Sequence, residues 1–212
     1  MKLYSFFNSS TSFRVRIALA LKGLSYDYVG VNLRGGEQGK EDYRELSPVG
    51  IVPVLVDGDV TLTQSLAIID YLDYRHPEPP LVPEDPLLRA RVLEISQTIA
   101  CEIHPINNIR VLKYLTGKLG VNEDDKSAWY KHWVDEGLSA VERLLSRLPS
   151  GAYCVGDAPT LADCCLVPQV ANAQRMGCDL SRFPRVMAVY EHCMKQPAFT
   201  AAAPQNQSDY VG

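Results

Sequence analysis

A chain of 212 residues, 46% of them hydrophobic, can form one large domain or two small ones with real cores. Its 21 basic and 25 acidic residues give a net charge of −4, and no Lys/Arg run exceeds two residues, which argues against a nucleic-acid surface. The chain opens on a strand-like segment instead of a signal peptide, and no window approaches 18 uninterrupted apolar residues. We therefore expect a cytoplasmic protein with a small-molecule partner, no nucleic acid and no membrane.

The cysteines form no C-x-x-C pair, so we predict no metal site and interpret them as small buried residues of a reducing compartment. A thiol used in chemistry would have to arrive with a cosubstrate. The six cysteines are Cys101, Cys154, Cys164, Cys165, Cys178 and Cys193.

The first 76 residues alternate strand and helix signals in the order β-α-β-α-β-β-α. Gly58-Asp59 between two apolar strands predicts a hairpin. The predicted elements are Lys2–Phe7, Ser12–Lys22, Tyr26–Leu33, Glu37–Leu46, Pro53–Asp57, Val60–Thr63 and a helix that opens at Gln64-Ser65.

Beyond a proline-rich linker at residues 76–80, almost every signal is helical. The predicted helices are Leu87–Leu119 with a break near Pro105, Asp124–Leu148, Leu161–Met176 and Phe183–Lys195. The tail from Ala201 to Gly212 has little to pack. The sequence thus predicts an α+β protein, with an α/β domain over residues 1–80 and an all-α domain over residues 87–212.

Four consecutive hydroxyl residues, Ser9 to Ser12, lie where the first strand leads into the first helix. Backbone N–H groups, hydroxyl donors and the positive end of a helix dipole converge there, which favours an anion. The alternative is that Ser12 is only an N-cap and its neighbours a solvated turn.

Five motifs make the chain similar to the cytosolic glutathione transferases, and within them to the zeta class, which includes maleylacetoacetate and maleylpyruvate isomerases. They are Ser9–Leu19 (SSTSFRVRIAL), Val52-Pro53, Gln64–Leu72, His104–Leu112 and Gly156–Asp163. The resemblance covers nearly the whole chain. It implies a thioredoxin-like glutathione-binding domain, a helical domain that carries part of the substrate pocket, glutathione as cofactor and a homodimer.

The resemblance places the hydroxyl of Ser9 beside the glutathione sulfur, with Ser10 and Thr11 close by. A thiol of pKa about 9 needs roughly 3 kcal/mol of anion stabilisation to lower that pKa by ~2 units. Zeta relatives commonly carry Cys where this chain has Thr11, and we expect the role to survive the change.

The remaining cofactor contacts in the first domain also come from the resemblance. It implies a cis Val52-Pro53 bond, with the Val52 backbone pairing with glutathione, although a trans proline is the commoner isomer. Gln64 and Ser65 would hold the γ-glutamyl carboxylate, or serve only as a helix cap. Gln38 matches a position near the glycine end of the tripeptide.

In the second domain, the resemblance assigns His104 and Asn108 to glutathione and Arg110 to positive potential near the thiolate. Glu102 matches an acidic position that meets the glutamyl amino group across a dimer interface. Arg175 either grips the substrate carboxylate or merely complements a helix dipole. His104 alone could equally be a residue at a helix end.

Other residues are assigned to folding or depart from the family pattern. The spacing Thr160-x-x-Asp163 is that of a capping box, and Arg14 and Arg16 are interpreted as structural. Asn8 stands where zeta isomerases generally have Arg, which replaces a bidentate carboxylate clamp by a neutral amide. Val49 stands where many bacterial relatives have Gln.

We therefore predict a glutathione-dependent cis–trans isomerase of a maleyl keto acid, acting by reversible thiolate addition. Asn8 favours an alternative, a zeta-like transferase that conjugates or dehalogenates small electrophiles such as α-haloacids. A third possibility is a non-catalytic interaction domain, against which the retention of Ser9, Gln64 and Ser65 argues.

Overall fold

A computed structural model of the chain describes residues 1–211. The chain divides into two compact units. The first contains Met1–Val82 and the described residues from Met194 onward, and the second is Pro83–Cys193. The sequence predicts a helical domain over residues 87–212, whereas the residues from Met194 onward group with the first unit.

A four-stranded sheet in the order β2-β1-β3-β4 forms the centre of the first unit. β1 pairs in parallel with β2 and antiparallel with β3, and β3 and β4 form the predicted hairpin. Together with three helices this is a thioredoxin-like arrangement, so the predicted order of elements is confirmed. The elements are β1 (Lys2–Ser5), α1 (Ser10–Leu21), β2 (Asp27–Gly30), α2 (Glu41–Leu46), β3 (Val54–Asp57), β4 (Val60–Thr63) and α3 (Ser65–Arg75).

Helix α1 begins earlier than its sequence pattern indicates. Ser9 is the N-cap: its backbone is extended, and its Oγ accepts a hydrogen bond from the Ser12 N–H at 3.2 Å. The predicted start at Ser12 is therefore too late, the alternative in which Ser12 is the N-cap is wrong, and residues 10–12 form the first turn. The shift places three hydroxyl side chains on helical backbone at the positive end of the helix dipole.

The C-terminal tail packs against the first unit, so the prediction that it has little to pack is wrong. Helix α9 (Pro197–Ala202) contacts α1, and the Ala202 carbonyl accepts from Arg16 Nε at 2.9 Å. Asp209 accepts from the Phe7 N–H at 3.0 Å and from the Tyr28 hydroxyl at 2.6 Å. Phe199, Ala202 and Ala203 are also buried, but the partners of the tail are far away in the sequence, so local hydrophobic periodicity did not indicate this packing.

The linker after α3 is held by side chains of its own unit. The Nζ of Lys22 forms an ion pair with Asp73 at 2.7 Å and donates to the carbonyls of His76 and Pro79. Asp73 in turn accepts from the backbone N–H of Leu81. A buried ammonium with three acceptors fixes the path of these residues.

The second unit is helical, as predicted. The predicted segment Leu87–Leu119 is divided into α4, a π-helical turn over Thr98–Ile103 and α5, with the expected break at Pro105. Thr160 and Asp163 form the predicted capping box at the start of α7. The helices are α4 (Pro86–Gln97), α5 (Ile109–Gly117), α6 (Glu123–Ser146), α7 (Leu161–Arg175) and α8 (Pro184–Cys193). Within residues 1–211, no helix combines the length and apolar character that crossing a bilayer requires.

Candidate active site

Three of the predicted site residues are joined by a chain of hydrogen bonds at the start of α1. Thr11 Oγ1 donates to the Val52 carbonyl at 2.9 Å and lies 2.9 Å from Ser9 Oγ. Each hydroxyl carries one proton, so Ser9 donates to Thr11 when Thr11 donates to Val52. Ser9 Oγ also accepts from the N–H of Ser12. The proton of Ser9 is thus the only one of the two hydroxyl protons that can turn toward a ligand without breaking the link to Val52.

The chain segment before Ser9 is fixed from behind by Arg16. This side chain is 1% exposed and donates to the carbonyls of Phe6 at 3.3 Å and Phe7 at 3.0 Å, and to Ser5 Oγ at 3.1 Å. Burial lowers the pKa of Arg16 to about 10, so it remains a cation at neutral pH. The sequence interpretation of Arg16 as structural agrees with these contacts, but it did not indicate that the residue holds the strand-to-helix loop.

The Val52-Pro53 peptide bond is cis, as the family resemblance implies. Val52 is buried just before β3, and its carbonyl is the acceptor for Thr11. The segment that carries Val52 is therefore tied directly to the first turn of α1.

The start of α3 has an unusual backbone. Gln64 lies at the N-cap position with φ 71°, the only positive φ of a non-glycine residue within residues 1–211. Its side chain makes no capping hydrogen bond, so the first N–H groups of α3 lack that acceptor. Ser65 is buried and accepts from Arg14 Nη1 at 3.3 Å. A strained backbone at an uncapped helix N-terminus is typical of a ligand clamp.

Gln38 lies on the 3₁₀ turn Glu37–Gly39 and is half-buried. Its Nε2 donates to the Leu33 carbonyl at 3.4 Å, while its Oε1 is buried without a partner within residues 1–211. Its assignment to the glycine end of glutathione stays a prediction.

In the second unit, His104, Asn108 and Arg110 form a linked set where the π-helical turn leads into α5. Asn108 Nδ2 lies 3.3 Å from His104 Nε2, and Asn108 Oδ1 accepts from the Arg110 N–H at 3.1 Å. Asn108 is therefore also the N-cap of α5. The side chains of Arg110 and Glu102 are exposed.

Arg175 is exposed at the end of α7 and donates to Asn172 Oδ1. Its charge acts on the buried Tyr130, whose hydroxyl has no hydrogen-bond partner within residues 1–211. Burial raises the pKa of Tyr130 to about 12 despite this nearby cation. Tyr130 was not singled out in the sequence, because a lone tyrosine in an amphipathic helix carries no motif.

Within the described part of the chain, no group of three or more His, Cys, Asp or Glu side chains is arranged to hold a metal ion. The six cysteines are free thiols. The chemistry of the predicted residues is thus that of hydroxyl and N–H donors in the first unit and of cations and amides in the second.

Comparison with known proteins identifies the family. Residues 3–80 match the N-terminal domain of glutathione S-transferase, and residues 127–192 match its C-terminal domain. The probable maleylacetoacetate isomerase of Vibrio cholerae is 47% identical over 98% of this chain and 97% of its own. Two solved structures are similar over the full length of both chains. One is a holo maleyl pyruvate isomerase, a bacterial zeta-class glutathione S-transferase, with TM-score 0.98 and 45% identity.

The other is the maleylacetoacetate isomerase of Methylobacterium extorquens AM1 with bound malonate and GSH, with TM-score 0.96 and 36% identity. Both resemblances extend across the whole chain, including the segments that carry Ser9, Val52, Gln64 and His104. The chain belongs to the glutathione S-transferase family, in its zeta class.

Proposed function

We propose that the chain is a glutathione-dependent cis–trans isomerase that converts a maleyl keto acid, maleylacetoacetate or maleylpyruvate, to the fumaryl isomer. The hydroxyl chain from Ser9 through Thr11 to Val52 at the N-terminus of α1 carries this proposal. The names of relatives that are 45–47% identical over nearly the full length support it.

The first unit offers hydrogen-bond donors for two anionic groups of glutathione. For the thiolate of the central cysteine, Ser9 presents a proton beside the first turn of α1. For the γ-glutamyl carboxylate, the α3 N-terminus has N–H groups that Gln64 does not cap, together with the hydroxyl of Ser65. Both places consist of donors, which fits groups that accept hydrogen bonds.

When bound, glutathione supplies a thiolate that adds reversibly to the conjugated cis double bond and is regenerated. Ser9 donates a hydrogen bond that stabilises the anionic sulfur, and the dipole of α1 acts in the same direction. Thr11 donates to the Val52 carbonyl, so its role is to tie the Val52 segment to the first turn of α1. Ser10 is buried in the same turn.

The residues of the second unit would bind glutathione and orient the substrate. His104 and Asn108 offer hydrogen bonds to glutathione, and Glu102 offers a carboxylate to its amino group. Arg110 and Arg175 supply positive charge for the substrate carboxylates and for negative charge that develops in the transition state.

The proposal is tested by incubating purified protein with maleylpyruvate and with maleylacetoacetate, with and without glutathione, and identifying products by chromatography. Glutathione-dependent formation of the trans isomer is the expected result. If glutathione binds but neither acid turns over, the isomerase assignment fails, and turnover of α-haloacids would then indicate the transferase chemistry.

We expect Asn8→Arg to lower the KM for the maleyl acid about tenfold with little change in kcat, because a guanidinium binds a carboxylate bidentately. Steady-state kinetics at saturating glutathione measure this effect. Asn8→Gln is the matched control, since it lengthens the side chain without adding charge, and its KM should stay near that of the wild type. Equal KM values for all three proteins would contradict a substrate carboxylate next to residue 8.

We further propose that the protein works as a homodimer in the cytoplasm, in the breakdown of aromatic compounds. The six free cysteines suit a reducing compartment, and members of its family commonly dimerise. Light scattering during size-exclusion chromatography tests the dimer.

A further inference from the structure

Helix α1 carries two buried arginines, and only one of them has its donors matched. Arg16 donates to the carbonyls of Phe6, Phe7 and Ala202 and to a serine hydroxyl. Arg14 is 2% exposed, and only its Nη1 has a partner, the Oγ of Ser65 at 3.3 Å. Its Nε and Nη2 are buried without hydrogen-bond partners within residues 1–211.

A buried guanidinium in this condition is costly to the ligand-free fold. None of the ion pairs in the described part of the chain involves Arg14. Removing a cation from water without an anion or enough acceptors destabilises a protein strongly. The surroundings of Arg14 therefore favour binding of an anion nearby, and its one hydrogen bond directs that positive charge toward Ser65, the first residue of α3.

The bond to Arg14 also determines what Ser65 can do. A hydroxyl that accepts from a guanidinium cannot return its proton to the same group, so the Ser65 proton points elsewhere, and Ser65 acts as a donor. The neighbouring N–H groups of α3 are likewise donors that Gln64 does not cap. The arrangement thus presents only donors, with a positive charge directly behind them.

We propose that Arg14 is a positioning residue for the γ-glutamyl α-carboxylate of glutathione, acting through Ser65. The inference rests on the proposed use of glutathione as cofactor. Arg14 fixes the direction of the Ser65 proton and supplies a charge opposite to that of the carboxylate in a water-poor environment. The cation that was interpreted as purely structural is then part of cofactor selection.

Calorimetric binding of two ligands tests this inference without any turnover. One ligand is glutathione, and the other is γ-aminobutyryl-cysteinyl-glycine, which replaces the γ-glutamyl residue by one that has no α-carboxylate. Arg14→Met should weaken glutathione binding roughly 10- to 100-fold, the loss typical of a hydrogen-bonded charge, and change binding of the second ligand far less. The glutathione affinity of Arg14→Lys should lie between those of the wild type and Arg14→Met, since lysine keeps the charge but lacks the planar guanidinium.

Arg16→Lys is the matched control on the same helix. This substitution removes hydrogen bonds to carbonyls that do not depend on a ligand. It should therefore lower the melting temperature of the ligand-free protein and weaken the binding of both ligands to a similar extent. Arg14→Met should instead leave that melting temperature unchanged or raise it, because no internal anion loses its partner.

Equal weakening of the two ligands by Arg14→Met, or glutathione affinity unchanged in both Arg14 variants, would overturn the role of Arg14 while leaving the cofactor assignment intact. If the methionine variant does not fold, Arg14→Lys decides by the same comparison of the two ligands. Failure of the wild type itself to bind glutathione would overturn the proposed function, a result that is distinct from either Arg14 outcome.

Discussion

Replacing Ser9 by Ala should raise the thiol pKa of bound glutathione by about two units and lower kcat/KM at neutral pH about 100-fold. Of the Ser9 and Thr11 hydroxyl protons, only that of Ser9 is free to turn toward a ligand, since the proton of Thr11 is engaged by the Val52 carbonyl. Without it, the helix dipole alone stabilises the sulfur anion. Ultraviolet absorbance of the bound thiolate, titrated against pH, measures the pKa directly.

The sign of the pH dependence follows from that shift. A higher thiol pKa leaves less thiolate at neutral pH, so the acidic limb of the profile of kcat/KM moves to higher pH in the variant. Above the shifted pKa, the kcat/KM values of the variant and the wild type should become similar. An unchanged thiol pKa in Ser9→Ala would show that another group stabilises the anion.

Ser12→Ala is the matched control, one turn further along the same helix. Its Oγ is fully buried and has no hydrogen-bond partner within residues 1–211, and its backbone N–H, which Ser9 accepts from, is retained in the variant. We expect near wild-type kinetics and no loss of stability. Ser9→Ala additionally removes the N-cap of α1, which costs about 1 kcal/mol of unfolding free energy, so stability must be measured for both variants.

The parts of the fold that could be predicted are those whose conformation is determined by residues close together in the sequence. Gly58-Asp59 between apolar strands predicts the β3–β4 hairpin, because a left-handed residue is needed in that turn, and Gly58 has φ 59°. Thr160 and Asp163 have capping-box spacing, and both side chains make the reciprocal bonds. In each case a few neighbouring residues determine the conformation.

The unpredicted features depend on partners that are distant in the sequence. Thr11 bonds a carbonyl 41 residues away, and Arg16 bonds one 186 residues away. Neither side chain differs locally from an ordinary helical threonine or arginine, so pattern alone could not separate a residue that positions the loop from one that only packs. The positive φ of Gln64 could not be predicted from the sequence either, because most non-glycine residues avoid that conformation.

The site residues themselves could be predicted mainly from the resemblance to a known family. A serine cluster before a helix is usually a cap, and Ser9 is indeed the N-cap of α1 as well as the proposed thiolate donor. The two roles use different parts of one hydroxyl, its lone pair toward Ser12 and its proton toward the ligand. Capping and anion binding are therefore compatible at this residue, and sequence pattern alone could not choose between them.

Asp209→Ala should lower the free energy of unfolding by about 2–4 kcal/mol, a large effect for one partly buried side chain. The carboxylate accepts from the Phe7 N–H and the Tyr28 hydroxyl, and Tyr210 packs edge-on against the Phe7 ring at 5.4 Å between centroids. Its loss leaves two partly buried donors without their acceptor. Urea denaturation, with the midpoint and slope fitted together, measures the change.

The exposed neighbour Ser208 supplies the control, since Ser208→Ala should change stability by less than about 0.5 kcal/mol. Asp209→Asn keeps an acceptor oxygen for one donor and should lose roughly half as much as the alanine variant. A stability loss in Ser208→Ala as large as that in Asp209→Ala would attribute the effect to the tail in general instead of to the carboxylate.

The same variant should also disturb catalysis, because Phe7 is two residues before Ser9. Asp209 holds the N–H of Phe7, and Arg16 holds its carbonyl, so the peptide groups on both sides of this residue are fixed by contacts from outside the loop. Releasing one of them lets Ser9 depart from its place opposite Thr11, and misplacement of a catalytic donor lowers kcat more than it weakens glutathione binding. We therefore expect kcat to fall while the dissociation constant of glutathione changes little. Wild-type kcat in a destabilised Asp209→Ala protein would mean that Arg16 alone is sufficient to hold the loop.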